Sequence, residues 1–133
     1  MLTYKESYQI VEHHLKALSF EKSPSGLYRP ISYVLSIGGK RVRPVLSVMS
    51  HSLYNDDIKV VVNAALGIEL FHNFTLLHDD IMDNAPLRRN SPTVHMKWDS
   101  NTAILSGDAM MILAYQLISK TEKKSIQKVL DLF

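Results

Sequence analysis

Asp79, Asp80 and Asp83 are the residues of this sequence best suited to chemistry, and they close the segment His78-Asp79-Asp80-Ile81-Met82-Asp83. On a helix, residues four apart share a face, so Asp79 and Asp83 lie together. Two carboxylates one turn apart repel each other, and at a helix C-terminus they also oppose the macrodipole. A cation is therefore expected beside them. Magnesium suits the position: it takes oxygen ligands, accepts one or two carboxylates, and leaves its other positions to water and substrate phosphates. Counted back in helical steps, Asp83, Asp79, Leu76 and His72 form one continuous stripe. An Asp-Asp-x-x-Asp run standing alone reads equally well as an acidic helix end in solvent. The Asp56-Asp57 pair has no third aspartate in register and reads as a helix cap.

Two cationic segments answer these aspartates. Gly38-Gly39-Lys40-Arg41-Val42-Arg43-Pro44 is a glycine-rich turn with three cations leading into a helix start. Glycine lets a backbone approach phosphate, the helix start offers free N–H groups, and Lys and Arg supply charge. A diphosphate carries roughly three negative charges near neutral pH, which three cations match. The second segment, Arg88-Arg89-Asn90-Ser91-Pro92-Thr93, follows the last aspartate closely. Either segment alone is an ordinary basic turn. Taken in this order with the aspartates, they call for a metal-bound diphosphate and a second anion beside it.

The elements that must position these residues are helical. Glycines and prolines cluster at Pro24 and Gly26, at Gly38, Gly39 and Pro44, and at Pro86 and Pro92. Between the clusters the apolar spacing has a helical period. It predicts helices over Tyr4 to Phe20, Leu27 to Ser36, Pro44 to Tyr54, Trp98 to Leu105, Asp108 to Ser119, and Thr121 to the end. The longest helix is expected from Asp56 to Asp83 with Asn55 as N-cap, at roughly 40 Å. Its apolar residues go nearly all the way round, which suits the middle of a bundle.

The 133 residues are 46% hydrophobic and 21% charged, as expected for one globular domain with its own core. A net charge of +2 does not argue for nucleic acid, and the cations flank acidic residues instead of forming a basic face. The chain has no cysteine, so disulfides and thiolate metal sites are excluded. No secretory signal is visible in the first residues, and without an uninterrupted run of about 18 apolar residues no spanning helix is expected. The expected location is the cytoplasm, without membrane insertion.

With these motifs in place, the sequence resembles the polyprenyl synthases, the trans-isoprenyl diphosphate synthase family, across nearly the whole chain. The resemblance rests on Gly-Gly-Lys-Arg-x-Arg-Pro, on the stripe from His72 to Asp83, on Arg88 to Thr93, and on Ser106-Gly107-Asp108. That last segment looks like the family's start of the next long helix. The resemblance implies an all-α bundle of the isoprenoid synthase type and a prenyltransferase condensing an allylic diphosphate with isopentenyl diphosphate. It implies that Lys40, Arg43, His72 and Arg89 bind the diphosphate of isopentenyl diphosphate. Asp79 and Asp83 are then the Mg2+ ligands on the allylic diphosphate, Arg88 contacts that same diphosphate, and Asp80 is a supporting or alternative ligand. Phe74 and Thr75, just upstream of the first aspartate, resemble the chain-length positions of synthases making fifteen- or twenty-carbon products. Asn90 stands where many members carry glycine. Members are usually homodimers.

The resemblance also implies a second Asp-rich motif on a later helix, yet after Asp83 only the isolated Asp99, Asp108 and Asp131 occur. The chain is accordingly expected to be the N-terminal part of such a domain and inactive alone. A non-catalytic or regulatory prenyl-diphosphate-binding subunit is the alternative, but it would be expected to have lost aspartates or cations. A terpene cyclase has no second diphosphate to hold, which leaves Lys40 and Arg43 without a purpose.

Overall fold

All residues from Met1 to Phe133 are described in the computed structural model. The first helix, α1 (Tyr4–Ala17), starts at a reciprocal cap. The Thr3 hydroxyl accepts from the Glu6 N–H at 3.3 Å and the Glu6 carboxylate accepts from the Thr3 N–H at 2.8 Å. The Thr3 backbone and side-chain hydrogen bonds hold the Glu6 carboxyl below its ordinary pKa. Six further helices follow: α2 (Ser25–Ser36), α3 (Val42–His51), α4 (Lys59–Met82), α5 (Val94–Lys97), α6 (Ser100–Ile118) and α7 (Ile126–Leu132). The fold is all-α. Its sole sheet is a two-residue ladder, β1 (Leu87–Arg88) with β2 (Ser91–Pro92), inside the segment read from sequence as a basic loop.

The helix boundaries differ from the expected ones where polar side chains or backbone turns intervene. α1 stops at Ala17, because Leu18 is already extended. α4 begins at Lys59, three residues after Asp56. The Asn55 side chain accepts from the Asp57 N–H at 2.9 Å, and the Asp57 carboxylate accepts from the Lys59 N–H at 3.1 Å. These local turns compete with the helix, and Asp57 caps in place of Asn55. α4 therefore has 24 residues, about 36 Å. By length and composition alone it could cross a membrane. However, it buries Glu69, Asn73 and Asp80 with its apolar residues, as a core helix does.

The two helices expected around Gly107 are one. α6 runs through Ser106 and Gly107 because both serve packing: the Ser106 hydroxyl donates to the Leu27 carbonyl at 2.9 Å, and the His78 ring occupies the space a Gly107 side chain would need. Asp99 starts the helix instead, accepting from the Thr102 N–H and hydroxyl, each at 2.8 Å. Those bonds, the backbone one foremost, lower the Asp99 pKa.

The chain forms two compact units. One holds Met1–Leu18, Lys40–Leu70 and Leu113–Phe133. Its core includes Val11, Leu15, Val45, Val48, Leu66, Leu70 and Ile118. Within it a Cβ on Gly67 would stand 2.6 Å from Ile118 Cγ1 and 2.9 Å from the Ala114 carbonyl oxygen, so α4 and α6 approach closely there. The other holds Ser19–Gly39 and Phe71–Ile112, around Ile31, Val34, Leu77, Val94 and Met110.

Candidate functional site

The acidic end of α4 is set by how that helix stops. Asn84 takes a left-handed conformation (φ 50°). Its N–H bonds to the Ile81 carbonyl at 3.2 Å, and the Ala85 N–H to the Asp80 carbonyl at 2.9 Å. This pair of bonds is a Schellman stop, for which asparagine is the best choice after glycine. The Asp83 N–H still bonds to the Asp79 carbonyl at 2.8 Å, so both carboxylates spring from the last turn. Both side chains are exposed, while Leu76 and His72 behind them are half-buried. The stripe read from sequence is the open edge of α4.

Asp80, turned about 100° from Asp79, lies on the other side. It is 6% exposed and ends the buried line of Asn73 and Leu77. Both its oxygens are taken by Arg88: Nε donates at 3.0 and 2.9 Å, and Nη2 donates to Oδ1 at 2.7 Å. The hydrogen bond to Asp80 raises the Arg88 pKa; burial opposes this, and the charges of Asp80, Asp79 and Asp83 reinforce it.

The hairpin carrying Arg88 is fixed by its turn. Arg89 (φ 50°) and Asn90 (φ 63°) are its two central residues. A two-residue hairpin of matching twist needs positive φ at both. Asparagine tolerates this well; arginine does so less readily, and such residues gather at functional sites. Asn90 thus does what glycine does at this position. Thr93 closes the loop, its hydroxyl donating to the Ala85 carbonyl at 2.7 Å and its N–H to the Pro86 carbonyl at 3.1 Å. The Tyr33 hydroxyl adds a bond to the Pro92 carbonyl at 2.7 Å. Beneath the hairpin, Val34, Ile37, Leu76, Leu77 and Val94 floor a small recess edged by Asn73, Asp80, Arg88 and Arg89.

Gly39 belongs to the same unit, and its place is dictated by Arg89. A Cβ there would stand 2.6 Å from Arg89 Nη1 and 3.0 Å from Cζ. Only glycine lets the guanidinium lie against that backbone.

The next residues, in the other unit, correct the reading of the glycine-rich turn as three ligand cations. Arg41 is left-handed (φ 49°) and only 4% exposed. Its Nε donates to Glu12 and its Nη1 to Glu69, each at 2.8 Å. Burial lowers the Arg41 pKa, and the two glutamates more than reverse that. Arg41 is a structural tie from α1 to α4. Lys40 and Arg43 on either side of it are exposed, and the Lys40 carbonyl accepts the Tyr4 hydroxyl at 2.7 Å.

A family model described as polyprenyl synthetase matches residues 24–133. The chain belongs to that family. The geranylgeranyl pyrophosphate synthase of Geoglobus acetivorans is 40% identical over 118 residues, which are 89% of this chain and 37% of that protein. A solved geranylgeranyl pyrophosphate synthase matches with a TM-score of 0.90 at 49% identity, over 96% of this chain and 39% of its own. A Helicobacter pylori geranyltransferase, solved in complex with magnesium and isoprenyl diphosphate, matches with a TM-score of 0.81 at 33% identity, over 96% of this chain and 46% of its own. The chain therefore spans less than half the length of these relatives.

For a polyprenyl synthetase the donor set fits magnesium in one limited way. No three His, Cys, Asp or Glu side chains converge to enclose an ion. The exposed Asp79 and Asp83 offer two carboxylates one turn apart, which is what magnesium uses when phosphate and water complete its sphere. Phe74 and Thr75 lie one turn deeper on α4, both half-buried. Phe74 stands edge-on to Phe71 at 5.4 Å and to His78 at 4.8 Å, and the Thr75 hydroxyl donates to the His72 carbonyl at 2.8 Å. Sequence reasoning missed Glu12 and Glu69, the seat that Gly39 offers Arg89, and Thr93 as an anchor. The Gly-Gly pair was the only sequence signal for any of them.

Proposed function

We propose that this chain carries the allylic-diphosphate half of a prenyltransferase active site, with magnesium held by Asp79 and Asp83. The observation that carries the reading is the open Asp79–Asp83 edge of α4, with Arg88 and Arg89 presented on a hairpin directly after it. The substrates are an allylic diphosphate and isopentenyl diphosphate. Magnesium, when bound, neutralises charge that builds on the departing diphosphate. Asp79 and Asp83 anchor that ion, and Arg88 offers N–H groups to the same oxygens. The allylic C–O bond breaks with its electron pair leaving on diphosphate. The isopentenyl double bond then forms the new C–C bond, and a proton from the isopentenyl unit passes to the released diphosphate. No protein nucleophile is required.

Lys40, Arg43, His72 and Arg89 bind the isopentenyl diphosphate in this proposal. Phe74 limits the product to fifteen or twenty carbons, a reading supported by relatives named as geranylgeranyl and farnesyl diphosphate synthases. In this reading these 133 residues bind substrate without turning it over, because the family's second Asp-rich motif has no counterpart after Asp83. On the same reading the working protein is a homodimer in the cytoplasm.

The test is calorimetric titration with a non-hydrolysable allylic diphosphate analogue, with and without magnesium. Binding that requires magnesium is expected; equal binding in both conditions would overturn the metal assignment. Lys40→Ala is expected to weaken isopentenyl diphosphate binding about tenfold, the loss of one charged hydrogen bond, with little change for the allylic analogue. Gly39→Ala should match Arg89→Ala in the same titration, because the new methyl group displaces the guanidinium. Equal losses for both ligands in the Lys40 variant would refute the division of labour.

A further inference from the structure

Asp80 is the one member of the acidic triplet whose surroundings disagree with a metal role. Its side chain faces inward, 6% exposed, while Asp79 and Asp83 face out. Both of its oxygens already accept from Arg88, through three hydrogen bonds of 2.7 to 3.0 Å. A fork of this kind fixes a guanidinium plane in both angle and distance. Arg88 itself stays 30% exposed at the side chain, so the pair is buried at one end and open at the other. Nε and Nη2 are occupied, which leaves the Nη1 edge for a ligand. The charges of Asp79 and Asp83 also act on Arg88.

From this geometry we infer that Asp80 is a positioning residue for Arg88 and not a third magnesium ligand. Asp80 holds the guanidinium so that its free edge meets the diphosphate that Asp79 and Asp83 bind through the ion. The inference rests on the functional reading above and assigns a different task to each aspartate of the triplet. Two carboxylates hold the metal, and the third holds the arginine.

The experiment is a calorimetric titration with inorganic diphosphate at stepped magnesium concentrations. It compares the unaltered chain with Asp79→Asn, Asp80→Asn, Arg88→Met and the Asp80→Asn/Arg88→Met double variant. Asn is nearly isosteric with Asp, and circular dichroism reports whether each variant keeps its helices. Asp79→Asn is expected to raise the magnesium concentration needed for half-maximal binding. Asp80→Asn is expected to leave that concentration unchanged and to weaken diphosphate binding about tenfold to a hundredfold, matching Arg88→Met. The double variant should be no weaker than either single one. A raised magnesium requirement in Asp80→Asn, or additive losses in the double variant, overturns the inference while leaving the functional reading in place. Should Asp80→Asn lose its helices, Arg88→Met decides: a raised magnesium requirement in that variant overturns the inference equally. If the unaltered chain shows no magnesium-dependent binding, the functional reading fails and this inference with it.

Discussion

Replacing Asp79 with alanine is expected to lower affinity for an allylic diphosphate analogue about a hundredfold in magnesium, roughly 2.8 kcal/mol at 1.4 kcal/mol per decade. In the proposed site the loss is large because the ion rests on two protein donors, Asp79 and Asp83, both exposed. Removing one leaves a single carboxylate against the competition of water, which magnesium gives up reluctantly. Without magnesium the sign should reverse. The variant then binds the analogue slightly better, because a negative charge has been taken away from an anion site. Asp57→Ala, on a carboxylate that only caps α4, should change neither measurement. Equal losses with and without magnesium would show that Asp79 matters for folding and not for the ion.

Arg41→Ala is expected to destabilise the chain by about 3–5 kcal/mol, because the buried Glu69 and the mostly buried Glu12 both lose the guanidinium they share. In a thermal melt this is a fall on the order of 10–20 °C. Backbone strain does not enter the comparison, since alanine and arginine carry the same Cβ at φ 49°. Arg41→Gly removes both the charge and the strain, so it should recover about 1 kcal/mol relative to alanine. Adding Glu69→Gln to Arg41→Ala should recover more, by taking away a buried negative charge that has lost Arg41. A loss under about 1 kcal/mol for Arg41→Ala would mean that the glutamates find water, and that the tie to α1 and α4 is not what holds the loop.

The helical character of the chain was legible because helix periodicity is local. Apolar residues recur within α4 at three and four positions, and the pattern is visible in any short stretch. The break expected at Gly107 was not a break, because glycine in a helix has two opposite uses. It can end a helix or make room for a neighbour, and only the His78 ring above it decides which. The hairpin at Arg88 to Ser91 was invisible for a related reason. Its two-residue turn needs positive φ, which Arg89-Asn90 does not announce as Asn-Gly would.

The sequence by itself determined which charges this protein owns and how they are spaced along its helices. It put Asp79 and Asp83 on one face at the end of the longest helix, and set cations before and after them. Only the tertiary structure decided which charge faces which. Arg41 meets Glu12 and Glu69 across separations of 29 and 28 residues, and so leaves the ligand set. Asp80 meets Arg88, eight residues later, while Asp79 and Asp83 stay exposed. The physical reason is that a charge's role is fixed by its partner and its access to water. Both are properties of packing between segments, which the spacing within one segment does not contain.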